Sequence, residues 1–334
     1  MKIITESMVE AHLSLPACID AMRDAMIGVS KGETTQPIRQ FMPIPGAAGK
    51  MALMPGTTER PERCFGIKLV CKYERPNGSP LGTHVGMVLV FDSEQGIPLA
   101  MIEGASLTAI RTSAASALAT DLLAKAETDT LAILGNGEQA LRHVRAMLAV
   151  RGPRQIRVWG RNSDRAKGFA ARLEQELDRS IYIAPSVQAA VSGADLICTT
   201  TASKTPILEG DWLDPGTHVN LVGAAIPTSA EADQAVVTRS RFFVDYRPAA
   251  LAAAGELLDA ISGGAVTEAH IAGEIGEVAA GTCPGRQSES DITVYKSLGV
   301  SAQDLAAGYK LYEIACTKGF GLEVEMMDYE DLLS

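Results

Sequence analysis

The chain has 334 residues, 46% of them hydrophobic and 21% charged, which suggests about two domains of ordinary globular composition. Its formal net charge of −10 excludes the basic surface that a nucleic-acid partner needs. No apolar stretch is long enough to span a bilayer, and Met1-Lys-Ile-Ile-Thr-Glu6 has no signal-like apolar core, so a cytoplasmic protein without membrane or nucleic-acid partners is expected.

Residues 1–33 read as helical. Ser14 and Pro16 stand where a cap and a first turn belong, followed by Ile19, Met22, Met26 and Val29 at helical spacing. Residues 36–102 change character. Pro and Gly recur, β-type segments fall at 51–54, 65–73, 85–91 and 98–102, and Pro76-Asn77-Gly78 and Gln95-Gly96 signal turns. This pattern predicts an antiparallel region. An alanine-rich helix follows over 104–125, with Leu107, Ile110, Ala114, Ala117 and Leu118 on its apolar face. Between Gly104 and Thr120 its one charged residue is Arg111. A buried arginine needs a partner. It is either half of an ion pair with a protein carboxylate or a bidentate clamp for a substrate carboxylate.

From residue 130 strands and helices alternate. Strands are expected at 131–135, 155–159, 181–184, 195–200, 217–222 and 241–245, and helices at 138–150, 163–178, 186–192, 229–238 and 248–260. That is the doubly wound parallel pattern. Residues 291–297 add a further strand or edge, 301–318 an amphipathic helix, and 322–334 an acidic, exposed tail. The first strand runs into Gly135-Asn136-Gly137-Glu138-Gln139-Ala140, the G-x-G-x-x-A form of the dinucleotide fingerprint in strand–turn–helix context. Gly135 allows the tight turn, Gly137 the approach of a pyrophosphate, and Ala140 close helix–strand packing. The helix N-terminus offers its N–H groups to the phosphates.

The second strand ends in Gly160-Arg161-Asn162-Ser163-Asp164-Arg165. NAD-selective folds place a carboxylate there for the ribose hydroxyl. Arg161, Asn162 and Arg165 instead suit a 2′-phosphate, and Asp164 reads as a first-turn helix acid, so NADPH is expected, with NADH possible. Thr199-Thr200-Thr201 and Val219-Asn-Leu-Val222-Gly223 end the next strands at the carboxyl edge, which makes Thr200, Thr201, Val222 and Gly223 candidates for cofactor contact, although threonines also favour strands by propensity. The six cysteines, at 18, 64, 71, 198, 283 and 316, form no Cys-x-x-Cys pair, and no metal site or disulfide framework is expected.

Taken in order, Leu107-Thr-Ala-Ile-Arg-Thr-Ser-Ala-Ala-Ser-Ala117, the fingerprint, Gly216-Thr-His-Val-Asn-Leu-Val-Gly223 and Ile292-Thr-Val-Tyr-Lys-Ser-Leu-Gly299 resemble the ornithine cyclodeaminase/mu-crystallin family from about Gln36 to Ala315. The resemblance implies an α/β protein. A Rossmann-type doubly wound parallel sheet at 116–304 stands beside an α+β substrate and dimerisation domain formed by 1–115 and 305–334, and the assembly is a homodimer. It implies that Arg111 and Arg39 bind the substrate carboxylate, that Lys68 is the active-site lysine, and that Thr83 lines the substrate pocket with His84 next to it. Thr112, Asn136, Glu138, Gln139 and Ser297 join the cofactor contacts on the same ground. By composition alone the favoured reading of Lys68 is the polar side of an alternating edge strand, paired with Lys72.

Two departures from the cyclodeaminase pattern stand out. Its aspartate two residues beyond the Val-Gly of the fifth strand is Ala225 here, and the second strand lacks its acid. Both point to an NAD(P)H-dependent reductase of a small cyclic imine carboxylate, Δ1-pyrroline-2-carboxylate or Δ1-piperideine-2-carboxylate, yielding L-proline or L-pipecolate. Lys68 and His84 are both candidates for the proton donor. The alternatives are an alanine-type amino acid dehydrogenase, a redox-neutral ornithine cyclodeaminase or hydroxyproline dehydratase, and a non-catalytic crystallin-like NADPH-binding protein.

Overall fold

The computed structural model describes residues 1–46, 49–60, 62–73, 82 and 84–325. The Pro76-Asn77-Gly78 turn, Thr83 and the tail from 326 lie outside them. The chain divides into two compact units, Met1–Arg111 with Val300–Ser334, and Thr112–Gly299. These boundaries fall a few residues before the expected ones.

Elements of the first unit are β1 (Lys2–Ile4), α1 (Glu6–His12), α2 (Leu15–Ser30), β2 (Gln40–Pro43), β3 (Gly49–Thr58), β4 (Cys64–Tyr73), β5 (His84–Asp92), β6 (Pro98–Glu103) and the start of α3 (Gly104–Leu123). Those of the second are β7 (Thr130–Leu134), α4 (Glu138–Val150), β8 (Gln155–Trp159), α5 (Ser163–Leu177), β9 (Tyr182–Ile183), α6 (Val187–Val191), β10 (Leu196–Thr199), β11 (His218–Leu221), α7 (Gln234–Thr238), β12 (Ser240–Val244), α8 (Arg247–Ala253), α9 (Gly255–Ser262), β13 (Ile271–Glu274), α10 (Ile275–Ala279) and β14 (Ile292–Lys296). The chain then returns to the first unit with α11 (Ser301–Lys318) and β15 (Leu322–Glu323).

Among the described residues the first unit holds one seven-stranded sheet, ordered β15-β1-β6-β5-β4-β3-β2. It is antiparallel except where β1 runs parallel to β6. The expected helix over 1–33 is thus a short strand and two helices. Ser14 caps α2 as expected, its hydroxyl accepting from the Ala17 N–H. In β3 and β4 every second residue is buried. That face lies under α11, which packs across β3, β4, β5 and β6 and against α2. The first half of α11, Ser301–Gly308, is buried throughout. Its N-cap Val300 offers no side-chain cap; Gln36 supplies one from a distance, Oε1 accepting from the Ala302 N–H and the Ser301 hydroxyl.

The second unit is an eight-stranded parallel sheet, ordered β13-β12-β14-β11-β10-β7-β8-β9. Strand direction and the βαβ crossovers are those of the Rossmann fold. Residues 291–297 form no edge: β14 sits between β12 and β11 and is buried along its whole length. The expected helix at 248–260 breaks at Ala254 into α8 and α9. The helix expected from 229 begins only at Gln234, after Asp233 caps it.

Two fully buried histidines titrate far from the ordinary range. His143 in α4 receives the Ser116 hydroxyl at Nε2 (2.9 Å) and places Nδ1 2.7 Å from the Gln139 carbonyl. The carbonyl can only accept, so Nδ1 carries the proton. Burial brings His143 down to about 4 despite the Gln139 bond, and burial with Arg286 nearby brings His218 to about 3. The unfolded chain therefore binds more protons than the fold below pH ~6.5, and stability falls as pH drops from there towards 4. Urea unfolding at pH 7 and 4.5 should show this loss, with His143 contributing about 2 kcal/mol of it. His143→Gln should remove that share, whereas an identical acid loss in the variant would contradict the assignment.

Candidate active site

Arg111 and Lys68, on α3 and β4 of the first unit, are both buried, 5% and 4% exposed. They meet on one oxygen. Asp304 Oδ1 lies 2.8 Å from Arg111 Nε and 3.0 Å from Lys68 Nζ. Asp304 is fully buried in the first turn of α11, where the helix dipole favours an anion. Gln303 beside it accepts from Arg111 Nη1 at 2.9 Å. One helical turn thus fixes the guanidinium through two of its nitrogens and the ammonium through one bond. Asp304 Oδ2 is buried and has no hydrogen-bond partner.

Burial lowers Lys68 to about 8; Asp304 opposes the fall, and the Arg111 and Arg39 charges add to it. Burial pushes the Asp304 carboxyl up, but Arg111 and Lys68 more than reverse this and hold it below the usual carboxylate range. The Cys18 thiol of α2, which feels both Arg111 and Asp304, is pushed up to about 12 by burial. Lys68 is therefore no exposed face of an edge strand: β4 lies between β3 and β5.

Arg39 follows from Gln36, whose amide donates to the Thr57 carbonyl at 3.0 Å while its oxygen caps α11. That anchor holds the 36–39 segment where the half-buried Arg39 acts on Lys68. Thr83 lies outside the described residues. The His84 backbone pairs in register with Lys72, four residues from Lys68 along β4, roughly 13 Å of strand. Of the two readings of Arg111, the structure shows the ion pair with a protein carboxylate, Asp304.

In the second unit β7 ends at Leu134 and α4 begins at Glu138. Gly135 has φ +134°, and a Cβ there would stand 2.5 Å from Thr200 Oγ1. At Gly137 a Cβ would meet nothing within 4 Å, and no side chain caps α4. This open space before bare helix N–H groups fits a pyrophosphate. Glu138 instead pairs with Arg142 (2.7 Å). Gln139 Oε1 and Ser297 Oγ are buried without partners, and Thr112, nearly buried, opens this unit's share of α3. Asn136 packs against Gly160 at the tip of β8. Asn162 is partly occupied there, since Oδ1 caps α5 by accepting from the Arg165 N–H. Arg161 and Arg165 are exposed, and Asp164 sits in the first turn of α5.

The next two strand ends are tied by a residue that sequence reasoning missed. Glu231, fully buried, takes the Thr199 hydroxyl (2.7 Å), the Thr201 N–H (2.6 Å) and hydroxyl (2.7 Å), and the Gly223 (2.6 Å) and Ala224 (3.2 Å) N–H groups. The Thr201 hydroxyl thus serves the scaffold. Glu256 accepts from the Glu231 N–H and pairs with buried Lys296, which also donates to the Ala224 carbonyl. Val222 and Gly223 are thereby set at the end of β11. Ala225 follows them, half-buried and without a carboxylate. Among the described residues no cluster of histidine, cysteine and acidic side chains fits a metal.

The model of the ornithine cyclodeaminase/mu-crystallin family matches residues 1–319. The chain belongs to this family. Over 309 residues it is 36% identical to the ketimine reductase mu-crystallin of Mus musculus, covering 91% of this chain and 94% of that one. It is 34% identical to a Δ1-pyrroline-2-carboxylate reductase of Bacillus cereus over 299 residues, 89% and 91% of the two chains. Its fold superposes with a TM-score of 0.92 and 30% identity on the Thermococcus litoralis Δ1-pyrroline-2-carboxylate reductase in complex with NADH and L-proline, covering 97% of this chain and all of that one.

Proposed function

We propose that this chain uses NAD(P)H to reduce the C=N bond of a small cyclic imine carboxylate, Δ1-pyrroline-2-carboxylate or Δ1-piperideine-2-carboxylate, to L-proline or L-pipecolate. The observation that carries this reading is the buried cluster in which Arg111 and Lys68 share one oxygen of Asp304. Two cations thus share one anion, an arrangement that suits an incoming carboxylate. The named relatives support the same reaction.

Arg111, held by Gln303 and Asp304, grips the substrate carboxylate and fixes the orientation of the ring. Lys68 gives its proton to the imine nitrogen, which makes the adjacent carbon electron-poor. The cofactor, when bound, supplies the hydride for that carbon. Lys68 is preferred to His84 as the acid because the His84 backbone aligns with Lys72 instead. A cyclodeaminase reading lacks its base: Ala225 has none, and Glu231 nearby is spent on five hydrogen bonds. Arg161 with no acid at the β8 tip supports NADPH over NADH.

The outward face of the seven-stranded sheet supports a homodimer. Its exposed positions are apolar where water would favour polar residues: Met42, Phe65, Val85 and Met87 are 37–47% exposed. No helix among the described residues is long and apolar enough to cross a membrane. All six cysteines are free, as suits a reducing compartment.

Two measurements test this reading. The reduced-nicotinamide absorbance should fall with one or both cyclic imines, with a higher kcat/KM for NADPH than for NADH. Inert imines together with ammonia release from L-ornithine would overturn it. Sedimentation should give the mass of two chains, and Met42→Glu with Met87→Glu should shift it to one; a monomeric parent protein would contradict the dimer.

A further inference from the structure

Asp304 belongs to none of the motifs that single out this family in the sequence, yet both cations of the cluster converge on it. Four features define its place. Its Oδ1 accepts from both Lys68 and Arg111. It is fully buried, so water does not screen it. Its Oδ2 has no donor, which leaves one lone-pair face unspent. It stands in the first turn of a helix whose opening Gln36 caps and whose neighbour Gln303 aims the guanidinium.

The charged and titratable groups around Lys68 are few. Asp304 faces it from α11, Arg111 from α3 and Arg39 from the segment before β2, while the Cys18 thiol of α2 lies against Arg111 and Asp304. Among the described residues Asp304 is the anion that acts on Lys68. Without it, the buried Arg111 guanidinium would face Lys68 with no acceptor from α11 between them, and the ammonium would hold its proton less firmly.

We propose that Asp304 is the positioning residue of the reaction: it holds Lys68 in its proton-bearing form and aims it, while locking Arg111 for the carboxylate. This inference rests on the imine-reductase reading of the same site. In the step itself a hydride adds to the imine carbon, the C=N π pair moves to nitrogen, and a Lys68 N–H bond breaks as the new N–H bond forms. Lys68 is left as a neutral amine and regains its proton from water. Asp304 stays ionised throughout and touches no substrate atom.

The sign of the pH effect follows. Lys68 is a competent acid below its pKa, so kcat/KM declines as pH rises past about 8. Asp304 raises that value, so Asp304→Asn should move the basic limb down by about one pH unit or more, roughly tenfold in proton concentration. Activity lost at pH 7.5 should return in part at pH 6, and Asp304→Glu should restore much of the original limb. Titration of the imine itself is common to all variants and drops out of the comparison. An Asp304→Asn profile of unchanged shape with a lower plateau would mean that the residue is only structural and would overturn the inference.

A second readout needs no turnover. The Lys68 ammonium, labelled with 15N and assigned through Lys68→Arg, should titrate lower in Asp304→Asn than in the parent protein; equal midpoints would overturn the inference even where imine reduction is normal. Inert imines with a shifted midpoint would instead sink the reductase reading and leave the Asp304–Lys68 coupling standing. If the variant does not fold, the parent protein decides. The Asp304 carboxyl 13C signal must then move at the midpoint of Lys68, and a flat signal would contradict the coupling.

Discussion

One carboxylate oxygen shared by two buried cations is the constraint on which the first unit depends. Burying Lys68 or Arg111 alone would be costly. Asp304 offsets both costs at once. For that it must sit at the start of α11, the helix must begin at Ser301, and the Gln36 segment must close over its first turn. The fold of this unit can be understood as the means of delivering that carboxylate, since β4 brings Lys68, α3 brings Arg111 and α11 brings the acid that joins them.

The second unit solves the corresponding problem with backbone groups. At its carboxyl edge the ends of β10 and β11 must stay open to a nucleotide without orphaning their N–H groups. Glu231 receives several of them from behind, and the Glu256–Lys296 pair steadies Glu231 and the Ala224 carbonyl in turn. The strand-end N–H groups are thus paired, while the space beside Gly137 before α4 stays open. Carboxylates near a strand end invite a catalytic reading, but the five donors on Glu231 leave it no lone pair to act as a base.

Much of this was legible in the sequence where local periodicity governs. The alternation after residue 130, the glycine fingerprint and the Ser14 cap are local patterns and match the elements that form. Short or uniformly apolar pieces were not readable. At three residues β1 is too brief to show a period, and the wholly buried β14 has no alternation to say whether it lies at an edge or the centre. Arg111 announced that it needed a partner, but that partner lies 193 residues away. No local pattern in the sequence marks Asp304. Glu231 likewise read as part of an ordinary helix start. Pairings between distant polar residues depend on the packed fold and leave little trace in local composition.

The most direct test compares two imines that differ only in the carboxylate, Δ1-pyrroline-2-carboxylate and Δ1-pyrroline. The parent protein should favour the first by about three orders of magnitude in kcat/KM, the scale of a charge-assisted bidentate contact in a buried site. Arg111→Ala should erase most of that preference by slowing the carboxylate substrate while leaving the bare imine nearly unchanged. Equal losses on both imines would mean that Arg111 supports only the fold, and the carboxylate-clamp account would be wrong.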